Sequence, residues 1–195
     1  MGKVYYLMGK SSSGKDTLYK ELLRTIPGLK TLVLYTTRPI REGEKNGVEY
    51  FFVSDEELAK YGAEGKIVEQ RIYNTVYGEW KYATIEDGQV DLKNSDYLVM
   101  GTLESYRNMK QYYGEHNLIP IYIEVEDGER LSRALERERR QETPKYEEMC
   151  RRFLADQKDF SEENLRCAGI TKRYYNQDKT QCLEEITGEI RYGKF

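Results

Sequence analysis

The sequence predicts an α/β fold, a mostly parallel sheet covered by helices on both faces. Two observations carry that expectation. Short apolar runs alternate with helical patterns along the chain, as βα units require. The first run, residues 4–8 (VYYLM), leads through a turn rich in glycine and serine, GKSSSGKDT (9–17), into an amphipathic stretch. Strand, loop and helix thus follow in the order of a phosphate-binding loop.

Each element follows from its own pattern. The stretch 17–25 sets Leu18, Leu22 and Leu23 on one helical face. Further strands are expected at 31–35 (TLVLY), 96–101 (DYLVMG) and 118–125 (LIPIYIEV), with a weaker one at 169–175 (GITKRYY). Helices are expected at 103–113, 127–140, 145–166 and 178–187. Residues 36–90 break the rhythm: aromatic and β-branched runs surround one short helical stretch, DEELAKY. They read as a small β lobe inserted into the core. Pro144 interrupts a charged helical region, and the stretch around it reads as a mobile segment.

Composition narrows the function classes. The chain has 195 residues, 33% charged and 38% hydrophobic, with a net charge of −3. No global basic field attracts nucleic acid. No apolar run approaches the ~20 residues that span a bilayer, so no membrane partner is expected. The N-terminus enters a strand without the apolar core of a secretory signal. Met1-Gly2 is not a myristoylation signal, because Tyr6 stands where Ser or Thr is needed. Three cysteines without metal spacing suit a reducing cytoplasm. The one histidine, His116, lies in a polar stretch, which argues against Ser-His-Asp or zinc chemistry.

In the loop, glycines let backbone N–H groups converge on phosphate oxygens, and the helix N-terminus adds positive potential. Gly9, Lys10, Ser11, Ser12, Ser13, Gly14, Lys15, Asp16 and Thr17 are the candidate nucleotide-binding residues. Lys15 is placed to bridge the β- and γ-phosphates. The next position usually carries Ser or Thr; here it is Asp16, and the hydroxyl follows at Thr17. Asp16 has two readings. As a first-turn acid it favours the helix dipole by ~0.3–1 kcal/mol. As a metal ligand, with Thr17, it holds magnesium in place of an Asp at the tip of a later strand. The candidate strand 96–101 runs into Thr102 and Leu103 and has no acid at its tip.

The stretch TTRPIREGEKNGVEYFFVS supplies a second set. Arg38 and Arg41 flank Pro39, and an arginine fork suits a phosphate dianion. Tyr50 and Tyr77 can donate hydroxyls to the same phosphate. Glu69 lies in an apolar run, KIVEQRIY. A carboxylate there can accept from a ring N–H and an adjacent exocyclic amine together.

With the phosphate loop, TTRPIREGEKNGVEYFFVS, Glu69 and VYG (76–78) in this order, the sequence resembles the guanylate kinases of the nucleoside monophosphate kinase class. The likeness covers nearly the whole chain and is strongest over 4–78. It implies a three-layer P-loop kinase fold with a parallel core sheet (1–35 and 91–195), an inserted acceptor-binding β lobe (36–90) and a helical lid (137–152). It implies GMP-phosphate contacts by Arg38, Arg41, Tyr50 and Tyr77, and guanine recognition by Glu69. ATP is the implied phosphate donor and Mg2+ the implied metal. KRYYN (172–176) resembles the strand ending in Asn near the family's adenine site, which suggests Asn176 as a nucleotide contact.

Three departures bear on specificity. The family usually has Ser where this chain has Leu34, Ser or Thr where it has Glu79, and Asp-x-Asp where it has Met100, Gly101 and Thr102. Gly101-Thr102 and the form of the loop also resemble ribose 1,5-bisphosphate phosphokinases, a second reading. A non-catalytic guanylate-kinase-like interaction module and a partner-coupled P-loop NTPase are further alternatives.

Arginines 130, 133, 137, 139, 140, 151 and 152 crowd the region of the implied lid, beside many glutamates. Pairs such as Glu129–Arg133 and Glu136–Arg140 account for part of this, each worth ~0.2–0.5 kcal/mol. The resemblance implies that two lid arginines close onto the transferring phosphate, one from Arg139 or Arg140 and one from Arg151 or Arg152. Phosphoryl transfer needs chiefly positioning and charge neutralisation, so a site without histidine fits.

Overall fold

The computed structural model describes residues 2–75 and 78–193. In chain order the elements are β1 (Val4–Gly9), α1 (Lys15–Thr25), β2 (Lys30–Thr31), β3 (Tyr35–Thr36), β4 (Phe51–Phe52), α2 (Asp55–Ala63), β5 (Ile67–Thr75) and β6 (Gly78–Ile85). They continue as β7 (Tyr97–Met100), α3 (Leu103–Tyr113), β8 (Leu118–Glu124), α4 (Asp127–Arg139), α5 (Tyr146–Asp159), α6 (Glu162–Ala168), β9 (Tyr174–Tyr175) and α7 (Lys179–Tyr192).

One sheet has five strands in the order β2-β7-β1-β8-β9, with every neighbouring pair parallel. This is the predicted α/β core. β1 lies at its centre and is buried throughout, which is why its sequence is an unbroken apolar run. Alternation sends its side chains to two cores. Val4, Tyr6 and Met8 join Tyr97, Val99, Tyr106 and Met109 on one face. Tyr5 and Leu7 join Leu18, Leu22, Cys182 and Ile186 on the other. The chain leaves β1 at the edge of both cores, so the loop after it stands on a rigid base.

The second sheet has the order β4-β3-β6-β5, in which β3 and β5 both run antiparallel to β6. A small core of Tyr35, Leu58, Ala83 and Ile85 lies beneath α2. A full capping box at Ser54 and Glu57 starts that helix.

Four expectations are corrected. The run 31–35 is not one strand. Lys30–Thr31 pairs in the core sheet and Tyr35–Thr36 in the second, and the buried residues between them cross from one to the other. The crossing is possible because its backbone finds partners without a ladder. The Gln89 side chain accepts from Val33 N at 3.1 Å and donates to Val33 O at 3.2 Å, and Phe51 N donates to Leu34 O at 2.8 Å. The expected helix 145–166 is two helices. Phe160 turns inward and stacks on Tyr122 with ring centroids 5.6 Å apart, and Ser161 caps the second helix. Asn164 Nδ2 meanwhile donates to Lys158 O at 2.9 Å and satisfies the end of the first. The expected strand 169–175 shrinks to Tyr174–Tyr175, while α7 runs five residues past its expected end at 187, to Tyr192.

Candidate active site

The loop between β1 and α1 is shaped by two close approaches and one non-glycine residue at positive φ. Gly14, at φ 84°, is the N-cap of α1, and a Cβ there would lie 2.4 Å from Asn176 Nδ2. A Cβ on Gly9 would lie 2.7 Å from Ile123 O on β8. Ser12 takes φ 62° without being glycine, a conformation that costs energy and persists where surroundings enforce it. The hydroxyls of Ser12 and Ser13 are buried and have no hydrogen-bond partner among the described residues. Orphaned donors at a helix N-terminus suit an anion, so the residues present fit a bound phosphate chain. Lys15 is half-buried at the start of α1, and Asp16 and Thr17 are exposed on its first turn.

Two predicted loop contacts turn out to brace the loop. Asn176 is buried and donates through Nδ2 to Ser13 O at 2.7 Å. Lys10 donates to Gln157 Oε1 at 2.5 Å and lies 3.4 Å from Asp127. The chief brace is Arg130, whose side chain is 1% exposed. Its Nη1 donates to Ser11 O at 3.0 Å, and its Nε and Nη2 hold Asp127 Oδ1 at 3.1 and 2.6 Å. Asp156 on α5 accepts from Ser11 N at 2.7 Å. Arg130 stood in the sequence as one of seven arginines clustered in and before the implied lid, and nothing local distinguished it.

The acceptor candidates gather on the second sheet. Arg38 is buried after β3, with its guanidinium 5.2 Å from the ring centroids of both Tyr50 and Phe52. Arg41 is exposed and Tyr50 half-buried. Tyr77 lies outside the described residues. Glu44 takes both arms of the Arg38 fork, at 2.8 and 2.6 Å, and accepts from Arg41 N at 2.8 Å. The hydrogen bond to Arg38 holds the Glu44 carboxyl down at about 2. Glu44 was not predicted, although it lies within the stretch that drew attention.

Glu69 is more constrained than expected. Its side chain has no exposed surface. Its Oε2 accepts from Arg71 Nε at 3.1 Å, and its Oε1 accepts from Thr84 Oγ1 at 2.9 Å and from Arg71 Nη2 at 3.4 Å. Arg71 also donates through Nη1 to Thr102 Oγ1 at 3.2 Å. Burial opposes its charge, but Glu69, with Tyr6 and Tyr73 nearby, raises its pKa above the ordinary value. Arg71 was missed, though a strand period of two sets it on the same face as Glu69.

The lid candidates are exposed. Arg151 and Arg152 both donate through Nε to Glu148, at 2.7 and 2.8 Å, and these bonds hold the Glu148 carboxyl at about 2. Arg140 lies 3.8 Å from Glu136 and Arg133 lies 2.8 Å from Glu129, the two predicted helix pairs. Arg139 is exposed in the last turn of α4. Among the described residues no group of three or more His, Cys, Asp or Glu side chains gathers to hold a metal. An ion at Asp16 and Thr17 would draw its other ligands from nucleotide phosphates and water, as magnesium commonly does. No described helix is long and apolar enough to cross a membrane.

Relatives point the same way. A guanylate kinase from Neisseria gonorrhoeae is 39% identical over 99 residues, 51% of this chain and 46% of its own length. A guanylate kinase from Legionella pneumophila is 37% identical over 78 residues, 40% of this chain. The matched region spans only 37% of that Legionella protein. One from Chlorobaculum tepidum is 28% identical over 69% of this chain and 68% of its own length. The crystal structure of guanylate kinase from Anaplasma phagocytophilum shares the fold, with a TM-score of 0.67 at 22% identity over 100% of this chain and 87% of that one. The guanylate kinase family model matches residues 1–164, and on that match the chain belongs to the guanylate kinase family.

Proposed function

We propose that the protein transfers the γ-phosphoryl group of ATP to the 5′-phosphate of GMP, giving ADP and GDP. An acceptor phosphate oxygen forms a bond to the γ-phosphorus as the bond from that phosphorus to the β–γ bridging oxygen breaks. The electron pair of the broken bond leaves with ADP. The carrying observation is the orphaned Ser12 and Ser13 hydroxyls in a loop that Arg130 and Asn176 fix from outside.

The residues divide the work. The loop amides and Lys15 hold the donor phosphates. Arg38, Arg41 and Tyr50, with Tyr77, hold the acceptor phosphate, and Glu69 sets the base. The stretch 137–152 acts as a lid on a single domain of core and acceptor lobe. Closure exchanges the exposed Glu148 pairs of Arg151 and Arg152 for phosphate oxygens, with Arg139 or Arg140 arriving from the other side. Exposed ion pairs are worth little, so the exchange costs little. Closure also excludes water, which directs the phosphoryl group to the acceptor. Asp16 and Thr17 would hold magnesium, which would supply charge neutralisation when bound. Exposed Cys150 and Cys167 are free thiols, which suits a cytoplasmic setting.

The test is ADP release with GMP, AMP and ribose 1,5-bisphosphate as separate acceptors. Turnover of GMP supports the reading. No GMP turnover, with or without turnover of the sugar bisphosphate, overturns it.

A further inference from the structure

The two faces of the second sheet differ in character. One packs Ala83 and Ile85 against Leu58 of α2. The other carries the acceptor candidates, and its strands lie in the order β4-β3-β6-β5. Arg38 follows β3, Glu69 and Arg71 sit on β5, and β6 runs between them. Tyr82 of β6 is paired across the ladder with Thr36 on one side and with Arg71 on the other. Thr84, two residues further on, donates to Glu69. A strand period of two sets Tyr82 and Thr84 on the same face.

Tyr82 is half-buried and stands in a row of rings. Its ring centroid lies 5.6 Å from that of Tyr50 and 5.6 Å from that of Tyr73, both edge-on. Tyr50 in turn lies 5.2 Å from the Arg38 guanidinium. Arg38 is held above its ordinary pKa first by its hydrogen bond to Glu44, and Tyr82 adds to the effect. On its other side the Tyr82 ring lies 5.9 Å from the guanidinium of Arg71, the partner of Glu69. A nucleoside 5′-monophosphate runs in the order phosphate, sugar, base. With the phosphate at Arg38 and Tyr50 and the base at Glu69, the sugar passes over the group between them, which is Tyr82.

We propose that Tyr82 is a further acceptor-binding residue whose ring carries the sugar of the nucleoside monophosphate. This rests on the reading that the lobe binds such an acceptor. The chemistry suits the task. A sugar ring has an apolar C–H side, and a tyrosine offers it a flat apolar body with a polar tip. Edge-on packing against Tyr50 and Tyr73 limits the motion of the ring, so little is left to be ordered on binding. The contact does not read the base, a task that stays with Glu69. It favours an acceptor with a closed sugar ring over one without.

The experiment compares GMP with an acyclic analogue, a guanine monophosphate whose ribose is replaced by an open ether chain. Both are assayed as acceptors with the unaltered protein, Tyr82→Phe and Tyr82→Ala. In the unaltered protein KM for the analogue should lie about 5- to 30-fold above that for GMP. Tyr82→Ala should raise KM for GMP by about 5- to 30-fold and KM for the analogue by less than about threefold, with kcat little changed. Tyr82→Phe keeps the ring and should recover KM for GMP to within about threefold of the unaltered protein. A Tyr82→Ala loss equal for the two acceptors would assign the ring to support of Arg38 and Tyr50, and overturns the inference. A Tyr82→Phe loss as large as that of Tyr82→Ala overturns it too, because the hydroxyl would then be the active group. Equal KM values for GMP and the analogue in the unaltered protein overturn it even if the variants fail to fold. If the unaltered protein phosphorylates no GMP, the kinase reading falls and this one with it.

Discussion

The Asp156 carboxylate accepts a hydrogen bond from the Ser11 amide at 2.7 Å, and Arg130 Nη1 lies 3.6 Å from the same oxygen. The helix α5, whose first half belongs to the implied lid, thereby touches the phosphate loop. It does so with a negative charge beside the loop proposed to hold the donor triphosphate.

Asp156→Asn keeps an oxygen to accept from Ser11 and removes the charge. KM for ATP is expected to fall by about three- to tenfold at low ionic strength, with kcat little changed, and the gain should shrink in salt. Steady-state kinetics at two salt concentrations check this. An ATP KM that rises would show that the carboxylate serves nucleotide binding instead.

Glu44 links the acceptor lobe to pH. Its carboxyl is held at about 2, against an ordinary 4.5, chiefly by the hydrogen bond from Arg38. A depressed carboxyl stabilises the fold fully above its unfolded value and loses that contribution as pH falls through the folded one. The loss therefore falls between about pH 4.5 and pH 2. Glu44→Gln should flatten the fall of stability across that window, as read by urea unfolding at stepped pH, and should raise KM for the acceptor by loosening Arg38. An unchanged slope would mean that the fork contributes nothing.

Gly14 carries a sharper test of the loop. Its φ of 84° and the 2.4 Å approach of Asn176 to the Cβ position leave no room for a side chain. Gly14→Ala should abolish detectable ATP binding by calorimetry, at a stability loss of about 1–3 kcal/mol. Gly28, also at positive φ but with open space around its Cβ position, is the control. Gly28→Ala should leave ATP binding intact.

These sites differ in how far the sequence disclosed them. The loop was legible because strand, glycines, lysine and helix are local in the chain, and local order sets their geometry. Arg38, Tyr50 and Glu69 were singled out as candidates by spacing and residue type, and the structure sets all three on or beside the second sheet. The division of 31–35 between two sheets was not, because it depends on Gln89, a residue 56 positions from Val33 in the chain. Arg130 was hidden for the same reason: its partner carbonyl on Ser11 is 119 positions away. Arg71 lay within reach of a strand-period argument, but its hold on Glu69 also needs the cross-strand Thr84 and the distant Thr102.

Asp16 is the open first-turn acid of α1. Asp16→Ser restores a hydroxyl after Lys15. If the carboxylate holds magnesium, the concentration of Mg2+ needed for half-maximal rate should rise about tenfold or more. Unchanged magnesium dependence and turnover would leave Asp16 with only the helix-dipole role.

The central claim is phosphoryl transfer from ATP to GMP, and product analysis tests it most directly. The protein, incubated with ATP, GMP and Mg2+, should form ADP and GDP in equal amounts, and neither product should accumulate at that rate when GMP is omitted. ADP appearing at the same rate without GMP, or no GDP at all, would contradict the account.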